Sequence, residues 1–332
     1  MSITNPKQLL ITGGSSGIGL EGCRILAKAG HQLSLLCRSV ERCRELEQKL
    51  LAADAQPSQL RMHVVDLGDL SSVERFCQTA LEDQQPLDAL VLNAGLQLAG
   101  IQQARTSAQG MELTVAVNHL AHQWLAMRLL PLLLRSKEPR VVITASDVHN
   151  PTTGGGRVGK PAGLGNLAGL KQGSGVAMLD GDGRFDADKA YKDSKLCNVL
   201  MGRELARQLQ ASGHRLPVIA WSPGLVIPKQ TGGFFRTSRQ VNPIGMAVFA
   251  LLARDVIRLT ERVERAGELL ASLVTEERFE RPGFQYWSNH LLRPGRHQFE
   301  EQATSVEAAD MDQAARLWTL SAQRLSELVA HS

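Results

Sequence analysis

Five short apolar runs in the first half of the chain, Gln8 to Thr12, Gln32 to Cys37, Arg61 to Val65, Ala89 to Leu92 and Arg140 to Thr144, alternate with stretches of helical spacing. Strands separated by helices cannot pair as tight hairpins. They need crossover connections, which are right-handed and return the chain parallel to the strand it left. The pattern therefore predicts a Rossmann-type, doubly wound α/β fold with a parallel sheet and helices on both faces. Leu216 to Trp221 supplies a sixth strand and Gly283 to Trp287 a seventh, so about seven strands are expected. The 332 residues fit a single domain with insertions. Trp124 to Leu134 is apolar but short and broken by Arg128, so it reads as a buried helix and not a membrane span. Met311 to Val329 has helical spacing, with Ala315, Leu317, Trp318, Leu320 and Leu325 on a core-facing stripe.

Two segments interrupt the rhythm. Residues 147–189 form a long glycine-rich insertion with Pro151, Pro161 and the run Gly154-Gly155-Gly156, and no clear helix or strand. A loop of that length in a compact domain is usually functional, a flexible surface excursion being the alternative. Residues 228–245, with Gly232, Gly233, Phe234 and Phe235, are expected to lie over the active site as a lid.

The first strand runs into Thr12-Gly13-Gly14-Ser15-Ser16-Gly17-Ile18-Gly19, which opens a helix. Glycines here permit a tight turn and a close backbone approach to a pyrophosphate, and the helix N-terminus favours its negative charge. A lone glycine pattern is weak, but the strand before it and the helix after it give the required context. Gly13, Ser15, Ser16, Gly17, Ile18 and Gly19 are therefore candidate cofactor contacts. A carboxylate at the end of the second strand would bind ribose hydroxyls, whereas a basic residue pairs with a 2′-phosphate. The chain has Arg38 there, followed by Ser39, which points to NADPH. Asp66 and Leu67 after the third strand, and Asn93, Ala94 and Gly95 after the fourth, complete the set.

The candidate chemistry centres on Tyr191-Lys192-Asp193-Ser194-Lys195. Residues four apart share a helix face, so the Tyr191 hydroxyl and the Lys195 ammonium can point into one cleft. A nearby cation favours phenolate, which would bring Tyr191 toward neutrality as a proton-transfer group. Lys195 can also hold the nicotinamide ribose. Ser146, after the fifth strand, is expected to hydrogen-bond the substrate or the tyrosine, and Asn118 to anchor a water leading from the lysine to solvent.

A formal charge of +4 without a basic run gives no case for nucleic-acid binding. The odd number of cysteines, five with no CxxC pair, reads as reduced thiols in the cytoplasm. His119 and His122 stand close together in a helical stretch with no third ligand near, so they read as ordinary helix histidines and no metal is expected. No secretory signal or spanning segment is visible at residues 1–7 or beyond.

Taken together, the motifs resemble the short-chain dehydrogenases. Three stretches, Leu164-Gly165-Asn166-Leu167-Ala168-Gly169, Lys189 through Asn198, and the tail with Tyr286-Trp287-Ser288-Asn289 and Ala315-Arg316-Leu317-Trp318, resemble the light-dependent protochlorophyllide reductases over nearly the whole chain. The resemblance implies light-driven reduction of the C17–C18 double bond of protochlorophyllide to chlorophyllide, in chlorophyll biosynthesis. NADPH would give the hydride and Tyr191 the proton. It also implies Pro223 and Gly224 as cofactor contacts, and Leu225, Phe234, Phe235, Ser146 and Tyr191 as substrate contacts. The chain is a divergent member. It reads Pro223-Gly224-Leu225 where the family usually has Pro-Gly-Cys, Ser146 where a threonine is usual, and Asn93-Ala94-Gly95 where the family has Asn-Ala-Ala. A light-independent carbonyl or alkene reductase and a non-catalytic pigment-binding paralogue stay open as alternatives. So do peripheral contact with photosynthetic membranes and assembly as a homo-oligomer.

Overall fold

The computed structural model describes residues 6–173, 175, 178–229 and 234–330. In chain order the elements are β1 (Gln8–Thr12), α1 (Gly17–Lys28), β2 (Gln32–Cys37), α2 (Val40–Leu51), β3 (Leu60–Val64), α3 (Leu70–Asp83), β4 (Ala89–Leu92) and α4 (Leu113–Val115). A π-helical turn (Ala116–Leu120) then joins α4 to α5 (Ala121–Leu133). There follow β5 (Arg140–Thr144), α6 (Ala168–Gln172), α7 (Ala187–Ala211), β6 (Pro217–Ser222), α8 (Arg236–Val241), α9 (Pro243–Ala250) and a second π-turn (Leu251–Val256). The chain closes with α10 (Val263–Thr275), β7 (Gly283–Arg293), β8 (Arg296–Glu301) and α11 (Met311–Ala330).

These strands form one sheet in the order β3-β2-β1-β4-β5-β6-β7-β8. β3 to β7 pair in parallel, and β8 returns antiparallel on β7. The strand order reverses between β1 and β4, so the crevice at their carboxyl ends is the expected ligand site of an open α/β sheet. Every residue of β4, β5 and β6 is buried, because helices cover both faces. One core layer packs Leu10, Leu90, Leu92, Val141 and Ile143 against α3, α5, α7 and α11. The other packs Leu9, Ile11, Val91, Val142 and Ile219 against α1, α2 and α10.

The expectation of about seven strands falls one short: β8, with the sequence RHQFEE, is an edge strand too polar to stand out. β7 also runs on to Arg293. The stripe on α11 includes Leu317, Trp318 and Leu325, but Ala314, not Ala315, is buried with them.

The insertion is more ordered than its glycines suggest. It contains a 3-10 turn at Asp147–His149 and the helix α6, and it buries Leu164, Leu167 and Leu170 in the main core. The helix α7, which carries Tyr191 and Lys195, grips it. Lys192 Nζ donates to the carbonyls of Gly156, at 3.1 Å, of Lys160, at 2.9 Å, and of Val158. Lys189 Nζ donates to the Gly163 carbonyl at 2.7 Å and pairs with Asp193 at 2.5 Å and Asp180 at 3.0 Å. Glu307 accepts from the Leu164 amide at 2.8 Å.

Candidate active site

β1 ends at Thr12 and turns at Gly13, where φ is +72° and an added Cβ would lie 2.7 Å from Ala94 Cα. The turns after β1 and β4 thus touch backbone to backbone. Gly17, with φ +54°, faces open space, and it starts α1. Ser16 is the N-cap, yet its side chain makes no capping bond, and the first turn holds no acid. The leading amides of α1 and its dipole are thereby left for an anion. Ser15 and Ser16 are half-buried beside them, Ile18 packs on the core, and Gly19 follows within the first turn.

Arg38 is exposed at the end of β2. Ser39 is the N-cap of α2, its hydroxyl accepting the Arg42 amide at 3.4 Å. Asp66 accepts the Gly68 amide at 2.9 Å within its own turn, and Leu67 leans on the core. Thr12 and Asn93 form the shelf between the turns. Thr12 Oγ1 accepts the amides of Asn93 and Ala94, both at 2.9 Å, and Asn93 Nδ2 donates to the carbonyls of Thr12 and Gly13, both at 3.3 Å. Thr144 Oγ1 donates to Asn93 Oδ1 at 3.1 Å, tying β5 to the shelf.

Tyr191 and Lys195 do share a face of α7. Lys195 Nζ stands 5.6 Å above the Tyr191 ring and donates to the Thr144 carbonyl at 2.9 Å. An added Cβ at Gly95 would lie 3.5 Å from that ammonium and 3.6 Å from Asn118 Oδ1. Ser146 hydrogen-bonds Tyr191. Burial pushes the Lys195 ammonium down to about 7. Burial also pushes the Tyr191 phenol above its ordinary value, with the Ser146 bond pulling weakly the other way. Burial thus shifts the phenol away from the phenolate that the neighbouring lysine was expected to favour. A protonated phenol is the form that can donate.

The Asn118 side chain is tied at both ends: Oδ1 accepts the Leu96 amide at 2.8 Å, and Nδ2 donates to the Leu96 carbonyl and Ser194 Oγ, both at 3.0 Å. It clamps the loop after Gly95 to α7, and with both Nδ2 hydrogens used, Oδ1 keeps one lone pair with which to hold a water.

Phe234 sets its ring edge-on 5.1 Å from Tyr191, and Phe235 sits 5.0 Å from Phe234, so an aromatic column rises from the hydroxyl pair. Gly232 and Gly233 lie outside the described residues. Leu225 is exposed, and its carbonyl accepts the Glu261 amide at 2.8 Å. Asn289 Nδ2 donates to the Pro223 carbonyl at 3.2 Å and so holds the Pro223-Gly224 turn.

A cluster below Ser146 was not legible in the sequence. The Asp147 carboxylate accepts from Tyr286 at 2.8 Å and from Ser288 at 2.7 Å, and its amide donates to Ser222 Oγ at 3.1 Å. The Gly224 amide also donates to that oxygen, at 3.4 Å. One hydroxyl thus joins the turns after β5 and β6. No local signal marks a pair 139 residues apart. Among the described residues, no group of His, Cys, Asp and Glu is arranged to hold a metal ion.

Comparison with known proteins agrees with this geometry. The short chain dehydrogenase family matches residues 7–155. Among solved structures, the Pseudomonas aeruginosa RhlG/NADP active-site complex superposes with a TM-score of 0.61 at 23% identity, over 86% of this chain and 96% of that one. Levodione reductase does so with 0.58 at 20%, over 82% and 91%. A protochlorophyllide reductase of Avena sativa is 36% identical over 94% of this chain and 97% of its own length. Protochlorophyllide reductase A of Triticum aestivum is 35% identical over 94% and 79%. The chain belongs to the protochlorophyllide reductase family of short-chain dehydrogenases.

Proposed function

We propose that this chain reduces the C17–C18 double bond of protochlorophyllide to chlorophyllide, with NADPH and light, as a step of chlorophyll biosynthesis. The observation that carries the reading is Tyr191 beside Lys195 on one face of α7, facing an aromatic column, within a family of protochlorophyllide reductases. The uncapped amides of α1, the open space at Gly17 and the exposed Arg38 fit a dinucleotide with a 2′-phosphate. Gly13, Ser15, Ser16, Ile18 and Gly19 would line its pyrophosphate, Asp66 and Leu67 its adenine, and Ser39 would stand beside Arg38. Asn93, Ala94, Gly95, Lys195, Pro223 and Gly224 would line the ribose and nicotinamide. Once bound, NADPH supplies a hydride.

The protein's part is to orient, to exclude water and to give a proton. Ser146 fixes the phenol, Tyr191 donates from its hydroxyl, and Lys195, buried and close to neutrality, accepts or releases a proton at little cost near pH 7. Phe234, Phe235 and Leu225 would offer an apolar wall over the site, which suits a tetrapyrrole. Supplying NADPH deuterated at the transferred position should give chlorophyllide with one deuterium. A product without the label, or no product, would contradict the reading. Leu225, which has no proton to give, favours a second reading, a light-independent reductase of an apolar carbonyl or alkene.

No helix among the described residues is long and apolar enough to cross a membrane. We propose peripheral contact instead. α9 buries none of its residues, and Ile244, Val248, Phe249, Leu252 and Val256 are exposed. An exposed apolar face on a segment that also carries exposed Lys229, Arg236, Arg258 and Arg262 suits an anionic lipid surface. Flotation with anionic but not neutral vesicles supports this; a dimer that ignores vesicles assigns the face to a second copy. Five buried, unpaired cysteines support a reducing compartment.

A further inference from the structure

Both histidines near the π-turn are buried, but only one reaches the site. His119 Nε2 meets Ser321 Oγ of α11 at 3.2 Å. His122 looks the other way. Its Nδ1 is 3.0 Å from the Asn118 carbonyl oxygen, which can only accept, so Nδ1 carries the ring proton. Its Nε2 is 3.0 Å from Thr12 Oγ1 and must then accept, so the Thr12 hydroxyl proton points at the ring. The rival acceptor for that proton, the Val91 carbonyl, is farther, at 3.4 Å. With its proton committed, Thr12 Oγ1 turns its lone pairs to the amides of Asn93 and Ala94. Burial first, and Lys195 second, hold the ring's pKa down to about 3, so it stays neutral across the working range.

One chain of hydrogen bonds therefore runs from the carbonyl of Asn118, whose side chain borders Lys195, to the shelf that carries the turn after β1. We propose that His122 is a positioning residue for the reaction, its Nδ1 fixing the Asn118 carbonyl at the proton-transfer end and its Nε2 fixing the Thr12, Asn93 and Ala94 shelf at the dinucleotide end. Neither a water nor a metal ligand is needed for the role. Asn118 lies within the π-turn, and such turns recur at functional sites. The inference rests on the reading of the site as an NADPH-dependent reductase.

Two substitutions separate the two bonds. His122→Asn keeps an N–H where Nδ1 stood and loses the reach to Thr12. His122→Gln keeps an acceptor where Nε2 stood and loses the donor to Asn118. Titrating NADPH by tryptophan fluorescence and measuring turnover at saturating NADPH should give crossed effects. His122→Asn should raise the Kd for NADPH about tenfold more than it lowers turnover, the loss of one hydrogen bond, and His122→Gln should do the reverse. Parallel losses that follow the drop in Tm, or no loss in either variant, overturn the proposal. If neither variant folds, the 15N-histidine spectrum of the wild-type chain decides. A neutral His122 ring protonated at Nδ1 at pH 6 is expected, and a doubly protonated ring or an Nε2–H ring overturns it. A wild-type chain that does not bind NADPH instead sinks the reading of the site.

Discussion

At the scale of single residues, burial acts on both proposed proton-handling groups. It pushes the Tyr191 phenol up and brings the Lys195 ammonium down to about 7. Tyr191→Phe should therefore leave the Kd for NADPH within about twofold and cut turnover by about 10² or more, as loss of a general acid does. Equal turnover in the variant would remove Tyr191 from the chemistry. Lys195 carries a second consequence. Its folded pKa lies below its ordinary value of 10.5, so the unfolded chain binds the extra proton and folding loses stability. That cost is present in full below about pH 7 and fades as the pH rises toward 10.5. Lys195→Met should accordingly raise the Tm of the cofactor-free chain, more at pH 6.5 than at pH 9, while abolishing turnover. A Tm difference independent of pH would show that the ammonium is not desolvated. Arg38→Ala should weaken NADPH by about tenfold or more and NADH little, the expected loss of a charged phosphate contact; an unchanged preference would take Arg38 out of the cofactor site. The spacing of Tyr191 and Lys195 was legible because helix geometry is local. The direction of the phenol's shift was not, since it depends on how much water the fold removes.

At the scale of elements, β1, β2, β4, β5 and β6 were legible to within a residue, because strands buried on both faces must be largely apolar, whereas β7 runs six residues past its expected end. β8 escaped because an edge strand tolerates charge, and α6 because glycines surround it. The grip of α7 on the insertion was equally hidden: Lys192 lies within the catalytic motif, yet it serves three carbonyls 32 to 36 residues upstream. Lys192→Met would leave those carbonyls without a donor and should cost about 1–3 kcal/mol. Proteolysis within residues 151–160 should become faster, with NADPH binding kept. An insertion as resistant as in the wild-type chain would show that its packed leucines alone hold it.

At the scale of the whole molecule, the sheet brings the ends of β1, β4, β5 and β6 to one crevice, and the catalytic helix and the aromatic pair close on it. The family membership and the proposed site agree, while Leu225, proposed above as a substrate contact, has no proton to give. If Tyr191 alone gives the proton, that lack is tolerated. The direct measurement is an absorbance spectrum of the purified chain with NADPH and protochlorophyllide, recorded in darkness and again after a brief flash. A red-shifted chlorophyllide band that requires both the flash and NADPH is the predicted result. Pigment that binds and does not change after the flash, or that is reduced equally well in darkness, would contradict it.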